Sequence, residues 1–349
     1  MFTEIMQITR RGLNLPANKN LIGLWFSILF AGLQFRIITF VLKENFELSL
    51  KAAEGVLNGY PHWRVYQNRL LGPLIFQAGK YIFRDPLFAY ILISILLISM
   101  AGFIVWKIGD SKGGARLAFS TLCIFHILFT FTLNLYWLYI WDYISLVIFL
   151  LFVESVISKR SILWFLGIWF VGIFNHENAV FIGTYLIADS LVPIIINRIN
   201  YIESEAIKFD VKKIFIGFSC VSLSTFIVEF LRNTFLKEAI APRVFGLNID
   251  PNKMPFQLFE NFKVLKSTAS TIDYYSTQTL PIIFFLLTIV LISILIFFKN
   301  PILYGGFSLN YLFFIACLLM FGVFYETRIY INLIPLCILG AIVLTDRKV

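Results

Sequence analysis

The carboxylates best placed to do chemistry follow directly after the first apolar stretch of the chain. Glu44 and Glu47 are three residues apart, so they face the same way on a helical turn. A carboxylate in that position could take a proton from a hydroxyl group or bind a divalent cation. An acidic first turn that only stabilises a solvated helix end is the alternative. These two residues are the predicted catalytic pair, and the need for a metal stays open.

Arginines alternate with aromatic residues in the segment YPHWRVYQNRLLGP, which contains Arg64 and Arg69. A third arginine, Arg328, lies in the segment FYETRIY. The guanidinium group matches the geometry of phosphate oxygens, so these residues are predicted to bind the phosphate of a substrate. Attraction of the same side chains to anionic lipid headgroups is the alternative.

Four further polar residues stand at the edges of apolar runs, where a binding site is expected. Asp142 is either a site residue or a helix cap beside interfacial aromatics. His176 and Glu177 are adjacent and diverge by about 100° on a helix, which disfavours one shared metal ion. Glu177 is therefore predicted to bind a cation or sugar hydroxyls, unless the segment NHEN is only a turn. Glu326 lies beside the arginine of FYETRIY.

The composition shows which elements must position these residues. Of 349 residues 59% are hydrophobic and only 14% are charged, which excludes a soluble globular protein. Continuous apolar runs of membrane-spanning length recur along the chain, so an all-α polytopic membrane protein with about ten transmembrane helices is predicted. The expected spans are 20–42, 87–107, 117–135, 139–157, 161–174, 178–197, 213–231, 279–298, 302–324 and 329–345. The fifth and sixth form either a tight hairpin or one broken helix.

The basic residues predict the orientation of the chain. Lys and Arg recur in every second connection and near both termini, whereas the connections near 136–139 and 175–178 contain none. Cytoplasmic loops retain such residues, so both termini are predicted to be cytoplasmic, with the first span kept as an anchor. The net charge of +9 is spread over loops without a basic tract, so no nucleic-acid partner is expected. The four cysteines lie in apolar runs and are interpreted as packing residues.

Two outer segments, 43–86 and 232–278, are too long to be simple connections. In the first, apolar residues from Leu48 to Leu57 share one helical face, which predicts a short helix lying in the membrane interface. The stretch 70–83 predicts a second one. In this topology the reactive residues described above share the outer face. We also expect Glu229 to pair locally with Arg232, and Arg36 to pair with Glu44, Asp142 or Glu177.

Residues 20–108 resemble the GT-C superfamily of membrane glycosyltransferases. In that pattern a first span is followed by an acidic residue, an interfacial helix ending at glycine, an aromatic stretch, Pro-Leu and a second interfacial helix. This sequence has KENFELSLKAAEGVLNGYPHWRVYQNRLLGPLIFQAGKYIFRDP there. The segments NHENAVF and YETRIYINLIP look like elements of bacterial relatives. The family usually places Asp in the first loop, whereas this chain has Glu44 and Glu47 and no Asp before Asp85.

The resemblance implies a cell-envelope transferase in a bacterial plasma membrane, with a polyprenyl-phosphate-linked sugar as donor and a glycan, lipid or protein as acceptor. Inverting transfer at the outer face, with membrane lipids around the donor, is the preferred hypothesis. A polysaccharide polymerase of the O-antigen type is an alternative enzyme. A lipid-linked sugar transporter or flippase is a third possibility, disfavoured because no related halves are visible and because the polar residues gather at one face.

Overall fold

A computed structural model of the chain describes residues 16–42, 45–61, 66–133, 138–200, 210–237, 258–259, 261–263, 274–322 and 327–345. These ranges contain helices and turns and no β-strand. Two 3-10 helices, Glu177–Ala179 and Thr327–Leu333, accompany the α-helices. The α-helices are α1 (Pro16–Leu42), α2 (Asn45–Asn58), α3 (Leu71–Phe83), α4 (Pro86–Phe131), α5 (Ile140–Ile157), α6 (Ile162–Ile173), α7 (Val180–Asn200), α8 (Val211–Phe235), α9 (Tyr274–Lys299), α10 (Pro301–Phe321) and α11 (Ile334–Thr345).

Eight helices in the described ranges are long and apolar enough to cross a membrane. The predicted class, an all-α polytopic membrane protein, agrees with them. The shorter apolar helix α6 has 12 residues, about 18 Å, which is less than a hydrocarbon core of roughly 30 Å. The count of about ten spans stays a prediction.

Helix α4 is two packed helices joined at a pair of glycines. Its 46 residues would extend about 69 Å if straight, but the backbone leaves helical geometry at Gly113 and Gly114, where Gly114 has a φ of 68°. A Cβ added at Gly109 would lie 2.6 Å from the Cα of Ala118. The two halves therefore turn back on each other, as the separate predicted spans 87–107 and 117–135 require.

Helices α6 and α7 form the tight hairpin expected around the segment NHEN. The rings of Phe165 and Tyr185, at equal sequence distance from Asn175, lie 5.4 Å apart between centroids. At the apex, a Cβ added at Gly172 would lie 2.8 Å from the Cβ of Ala179. The alternative of one broken helix is therefore wrong.

Helix α5 lies in the centre of the bundle, since 89% of its span is buried. Its first turn carries Asp142, close to the apex of the α6–α7 hairpin, because the Asn175 side chain donates to the carbonyl of Trp141 at 2.8 Å. The polar residues at the start of α5 and at this apex therefore share one end of the bundle.

The first long connection folds into two helices, as predicted. Helix α2 buries the face formed by Phe46, Ser49, Ala52, Ala53 and Val56. Helix α3 is joined to it by an ion pair between Lys80 and Glu54 at 2.5 Å. The amide of Lys237, just after α8, donates to the carbonyl of Gly59 at 2.8 Å, so the start of the second long connection meets the first. Most of 232–278 lies outside the described residues.

Candidate functional site

Five of the predicted site residues are close together at one end of the bundle. Arg69 precedes α3, Asp142 is in the first turn of α5, His176 and Glu177 form the α6–α7 apex, and Arg328 starts the last span. Arg69 binds Glu177, and Arg328 lies beside Asp142. Segments far apart in sequence therefore converge, as the topology predicted.

Of the other four predicted site residues, only Glu47 lies among the described residues. Glu44, Arg64 and Glu326 lie outside the described residues. Glu47 is exposed in the first turn of α2. The catalytic role of Glu44 and Glu47 stays a prediction.

The pair between Arg69 and Glu177 is bidentate. Nη2 of Arg69 lies 2.6 Å from Oε1 of Glu177, and Nε lies 3.3 Å from Oε2. The Asn68 side chain donates to the same Oε2 at 3.3 Å. The Arg69 side chain is 5% exposed and that of Glu177 is 21% exposed. The carboxylate therefore lies at the rim of the site and the guanidinium lies beneath it.

The second pair is looser. Nη1 of Arg328 lies 3.5 Å from Oδ2 of Asp142, and Nη2 donates to the hydroxyl of Tyr66 at 3.0 Å. Oδ2 of Asp142 also accepts from the backbone N–H of Tyr139 at 2.9 Å. Asp142 is therefore both a helix cap, one of the two predicted interpretations, and a partner of a buried arginine.

Aromatic side chains connect the two pairs. The Arg69 guanidinium lies 4.7 Å from the centre of the Tyr66 ring and 5.6 Å from that of Trp141. The Arg328 guanidinium lies 4.8 Å from the centre of the Tyr139 ring. Together we call Arg69, Glu177, Arg328, Asp142, Tyr66, Tyr139 and Trp141 the arginine–carboxylate cluster. Its aromatic faces attract cations and exclude water, so both arginines are held in place on two sides.

Hydrogen bonds to backbone carbonyls of other segments fix the position of the loop that carries Arg69. The amide of Leu71 donates to the carbonyl of Phe174 at 2.9 Å, and the Gln67 side chain donates to the carbonyl of Val56 at 2.9 Å. The loop is thereby tied both to the α6–α7 apex and to α2. A backbone shift in either neighbour should move Arg69.

Five buried polar atoms at or around Arg69 have no hydrogen-bond partner among the described residues. They are Oε1 of Gln67, Oδ1 of Asn68, Nη1 of Arg69, Nε1 of Trp141 and Oδ1 of Asn175. Such atoms are costly to bury, by about 1–3 kcal/mol each, and they are typical of sites where a ligand supplies the missing bond. Three are acceptors, one is a neutral donor and one is a charged donor, which suits a ligand with hydroxyls and an anionic oxygen.

His176 is neutral at physiological pH. Burial lowers its pKa to about 3, helped by the positive charge of Arg69 and opposed by Glu177. Its Nδ1 accepts from the backbone N–H of Asn178 at 3.1 Å. That nitrogen carries no proton, so its approach to Glu177 at 3.6 Å is not an ion pair.

Arg232 is a residue whose importance the sequence did not reveal. Its predicted local pair with Glu229 is confirmed, with Nη1 at 2.9 Å from Oε1. However, Arg232 is only 6% exposed, and its charge also contributes to lowering the pKa of His176. A third arginine therefore approaches the α6–α7 apex.

Other predicted roles have different outcomes. Arg36 is exposed and is not paired with Asp142 or Glu177, each of which binds another arginine. Of its predicted partners only Glu44 remains, outside the described residues. The four cysteines are free, two of them buried, in keeping with packing. In the described ranges no group of three or more His, Cys, Asp or Glu side chains could hold a metal ion.

Four further side chains, which the sequence did not single out, contact the paired charges: Tyr66, Asn68, Tyr139 and Trp141. The only available signal was their position next to predicted site residues. Comparisons with protein-family models, curated proteins and solved structures found no match for this chain.

Proposed function

We propose that this protein is a membrane glycosyltransferase that takes a sugar from a polyprenyl-phosphate-linked donor at the outer face of the membrane. The observation that carries the proposal is the arginine–carboxylate cluster, in which two buried arginines lie between aromatic rings at one end of a bundle of apolar helices. Charges at membrane depth are expensive and are typical of substrate sites.

The proposal assigns separate roles to the two kinds of side chain. Arg69 and Arg328 bind the donor phosphate, because the guanidinium group stays charged and matches phosphate oxygens. Glu47, exposed at the start of α2, or Glu44 accepts the proton of the acceptor hydroxyl. Arg69 lies just before α3, and Glu47 lies in α2. If these two helices lie in the membrane interface, a lipid tail can remain in the bilayer while its phosphate reaches the site.

The membrane arrangement belongs to the same proposal. About ten spans result if α4 crosses twice and α6 crosses or nearly crosses. Both termini then lie in the cytoplasm of a bacterium, and the arginine–carboxylate cluster faces outward. Three lysines support this orientation: Lys107 near the turn inside α4, Lys159 just after α5 and Lys299 at the end of α9.

The test is a transfer assay in lipid nanodiscs with a radiolabelled polyprenyl-phosphate sugar and a mixture of glycan and lipid acceptors. Glu47→Gln or Glu44→Gln should lower the rate by about 10²- to 10⁴-fold, the usual effect of losing a general base. Glu54→Gln, which changes a carboxylate of the same helix paired with Lys80, is the matched control. Full activity of both test variants would remove the two residues from catalysis, and no product with any acceptor would count against a transferase.

A lipid-linked sugar transporter is the second candidate, because one polar network lies inside the bundle. Nδ1 of His126 lies 3.2 Å from Oε1 of Gln34, and Nε2 of Gln34 donates to Thr130 at 3.1 Å. Movement of an intact labelled donor across the bilayer, without release of the sugar, would favour transport over transfer.

A further inference from the structure

Arg69 has the features of an anion site that is already filled by part of the protein. Its Nε and Nη2 atoms, the edge that would bind two oxygens of a phosphate group, both bind Glu177. A carboxylate and a phosphate present two oxygens to this edge with similar geometry. Glu177 thus occupies the position that a phosphate would take.

Contacts other than the pair with Glu177 also hold Arg69 in place. The guanidinium lies against Tyr66 and Trp141, at 4.7 and 5.6 Å from the ring centres. The loop that carries it is fixed by the bond from the Leu71 amide to Phe174. Arg69 should therefore keep its position if the Glu177 side chain turns away while the backbone of the apex stays in place.

Two observations indicate that Glu177 can be replaced. It is the more exposed partner, at 21% against 5% for Arg69, so a ligand from the surface reaches Glu177 first. In addition, Nη1 of Arg69, a residue only 4% exposed, has no hydrogen-bond partner among the described residues. A phosphate has more acceptor oxygens than a carboxylate, so it could bind Nη1 as well as the edge now held by Glu177.

We propose that Arg69 is a phosphate-binding site kept closed by Glu177, and that a lipid phosphate binds by displacing this carboxylate from the guanidinium. The proposal rests on the proposed function for the identity of the ligand as a lipid phosphate. Exchange of one anion for another keeps Arg69 paired throughout, which avoids leaving a buried charge alone. It also gives selectivity, because a neutral lipid cannot take the place of Glu177.

Exchange and a purely structural pair predict opposite changes in ligand affinity when Glu177 is replaced. If Glu177 competes with the ligand, Glu177→Gln should tighten binding of a polyprenyl monophosphate by at least about tenfold, because a like charge no longer opposes the phosphate. If Glu177 instead only holds Arg69 in place, the same variant should weaken binding. Arg69→Gln should abolish the tight binding under the exchange proposal.

The experiment measures binding of polyprenyl monophosphate, neutral polyprenol and inorganic phosphate to the full chain in neutral-lipid nanodiscs. Tight binding of polyprenyl monophosphate alone identifies the lipid phosphate as the ligand. Equal binding of inorganic phosphate would assign the site to free phosphate and overturn the lipid part of the proposal. Equal binding of neutral polyprenol would overturn the anion site itself.

Glu229→Gln is the matched control, because it removes a carboxylate from another arginine pair, Arg232 with Glu229, at 2.9 Å. An equal gain in affinity in this variant would mean that general electrostatics, and not exchange at Arg69, sets affinity, and would overturn the proposal. If Glu177→Gln does not fold, Glu177→Asp, which shortens the side chain but keeps its charge, should still bind more tightly than the natural protein. Because only binding is measured, absence of glycosyl transfer would refute the proposed function without affecting this result.

Discussion

Replacement of Arg69 by lysine tests whether the bidentate pair holds the arginine–carboxylate cluster together. Lysine keeps the positive charge and can bind one oxygen of Glu177. It cannot reproduce the second of the two bonds, which are 2.6 and 3.3 Å long, or the contact of the guanidinium with the Tyr66 ring at 4.7 Å. The substitution therefore removes the bidentate arrangement and leaves the net charge unchanged.

The magnitude follows from these losses. A hydrogen bond to a charged group contributes about 1.5–3 kcal/mol, and a partly desolvated cation–π contact contributes about 1–2 kcal/mol. Lysine keeps part of the cation–π energy, so we expect a loss of about 2–3 kcal/mol in the free energy of unfolding. Arg160→Lys is the control, because Arg160 also pairs with a carboxylate, Glu154 at 3.0 Å, but is 53% exposed. That change should cost less than about 0.5 kcal/mol, since exposed pairs contribute little.

Thermal unfolding of both variants in the same nanodiscs, at one scan rate, gives the comparison. Arg69→Lys should lower the apparent Tm by several degrees, and Arg160→Lys should leave it almost unchanged. Equal Tm values for the two variants would refute the reasoning, because burial and bidentate geometry would then make no difference to this pair.

Three further predictions concern topology, packing and pH. Cysteine introduced at the exposed Lys51 should react with a membrane-impermeant maleimide in intact cells, whereas cysteine at the exposed Lys112 should react only after permeabilisation. Gly109→Ala should lower the thermal stability by about 1–3 kcal/mol, because its Cβ would lie 2.6 Å from backbone of the second half of α4, whereas Gly32→Ala, with no atom within 4 Å, should not. The pKa of His176 in the folded protein, about 3, is below its value in the unfolded chain. Its stabilising contribution to the free energy of unfolding is therefore complete above about pH 6.5 and is lost as the pH falls towards 3. At about pH 5 the loss is roughly 2 kcal/mol, and His176→Gln should remove it from unfolding curves measured between neutral and acidic pH.

The large-scale arrangement could be predicted because it depends on quantities that the sequence contains. Apolar run length and loop charge place alternate connections at opposite ends of the bundle. This alternation of connections between the two ends is enough to place four site residues at the same end: Arg69, Asp142, Glu177 and Arg328. In the structure Arg69 contacts Glu177, and Arg328 contacts Asp142. The polar tetrad between two apolar runs predicted either the α6–α7 hairpin or one broken helix, and the structure shows the hairpin.

The pairing within the site could not be predicted, because it depends on side-chain geometry between segments remote in sequence. Arg328 and Tyr66 form a hydrogen bond although 262 residues separate them. Arg232 shows the same limitation, since its spacing from Glu229 predicts the local pair, and only the packing of α8 shows that the guanidinium is buried. Hydrophobic periodicity indicates which face of a helix is buried, but it does not indicate which residues of other segments that face contacts.

The two carboxylates of the arginine–carboxylate cluster differ in a way that bears on which one can respond to a ligand. Asp142 accepts the N–H of Tyr139 in the first turn of α5, so its departure would uncap a central helix as well as release Arg328. Loss of such a cap typically costs about 1 kcal/mol, in addition to the cost of an unpaired buried arginine. Among the described residues Glu177 accepts hydrogen bonds only from the side chains of Asn68 and Arg69. Its release would leave no helix end unsatisfied, so Asp142 is expected to stay in place while Glu177 exchanges.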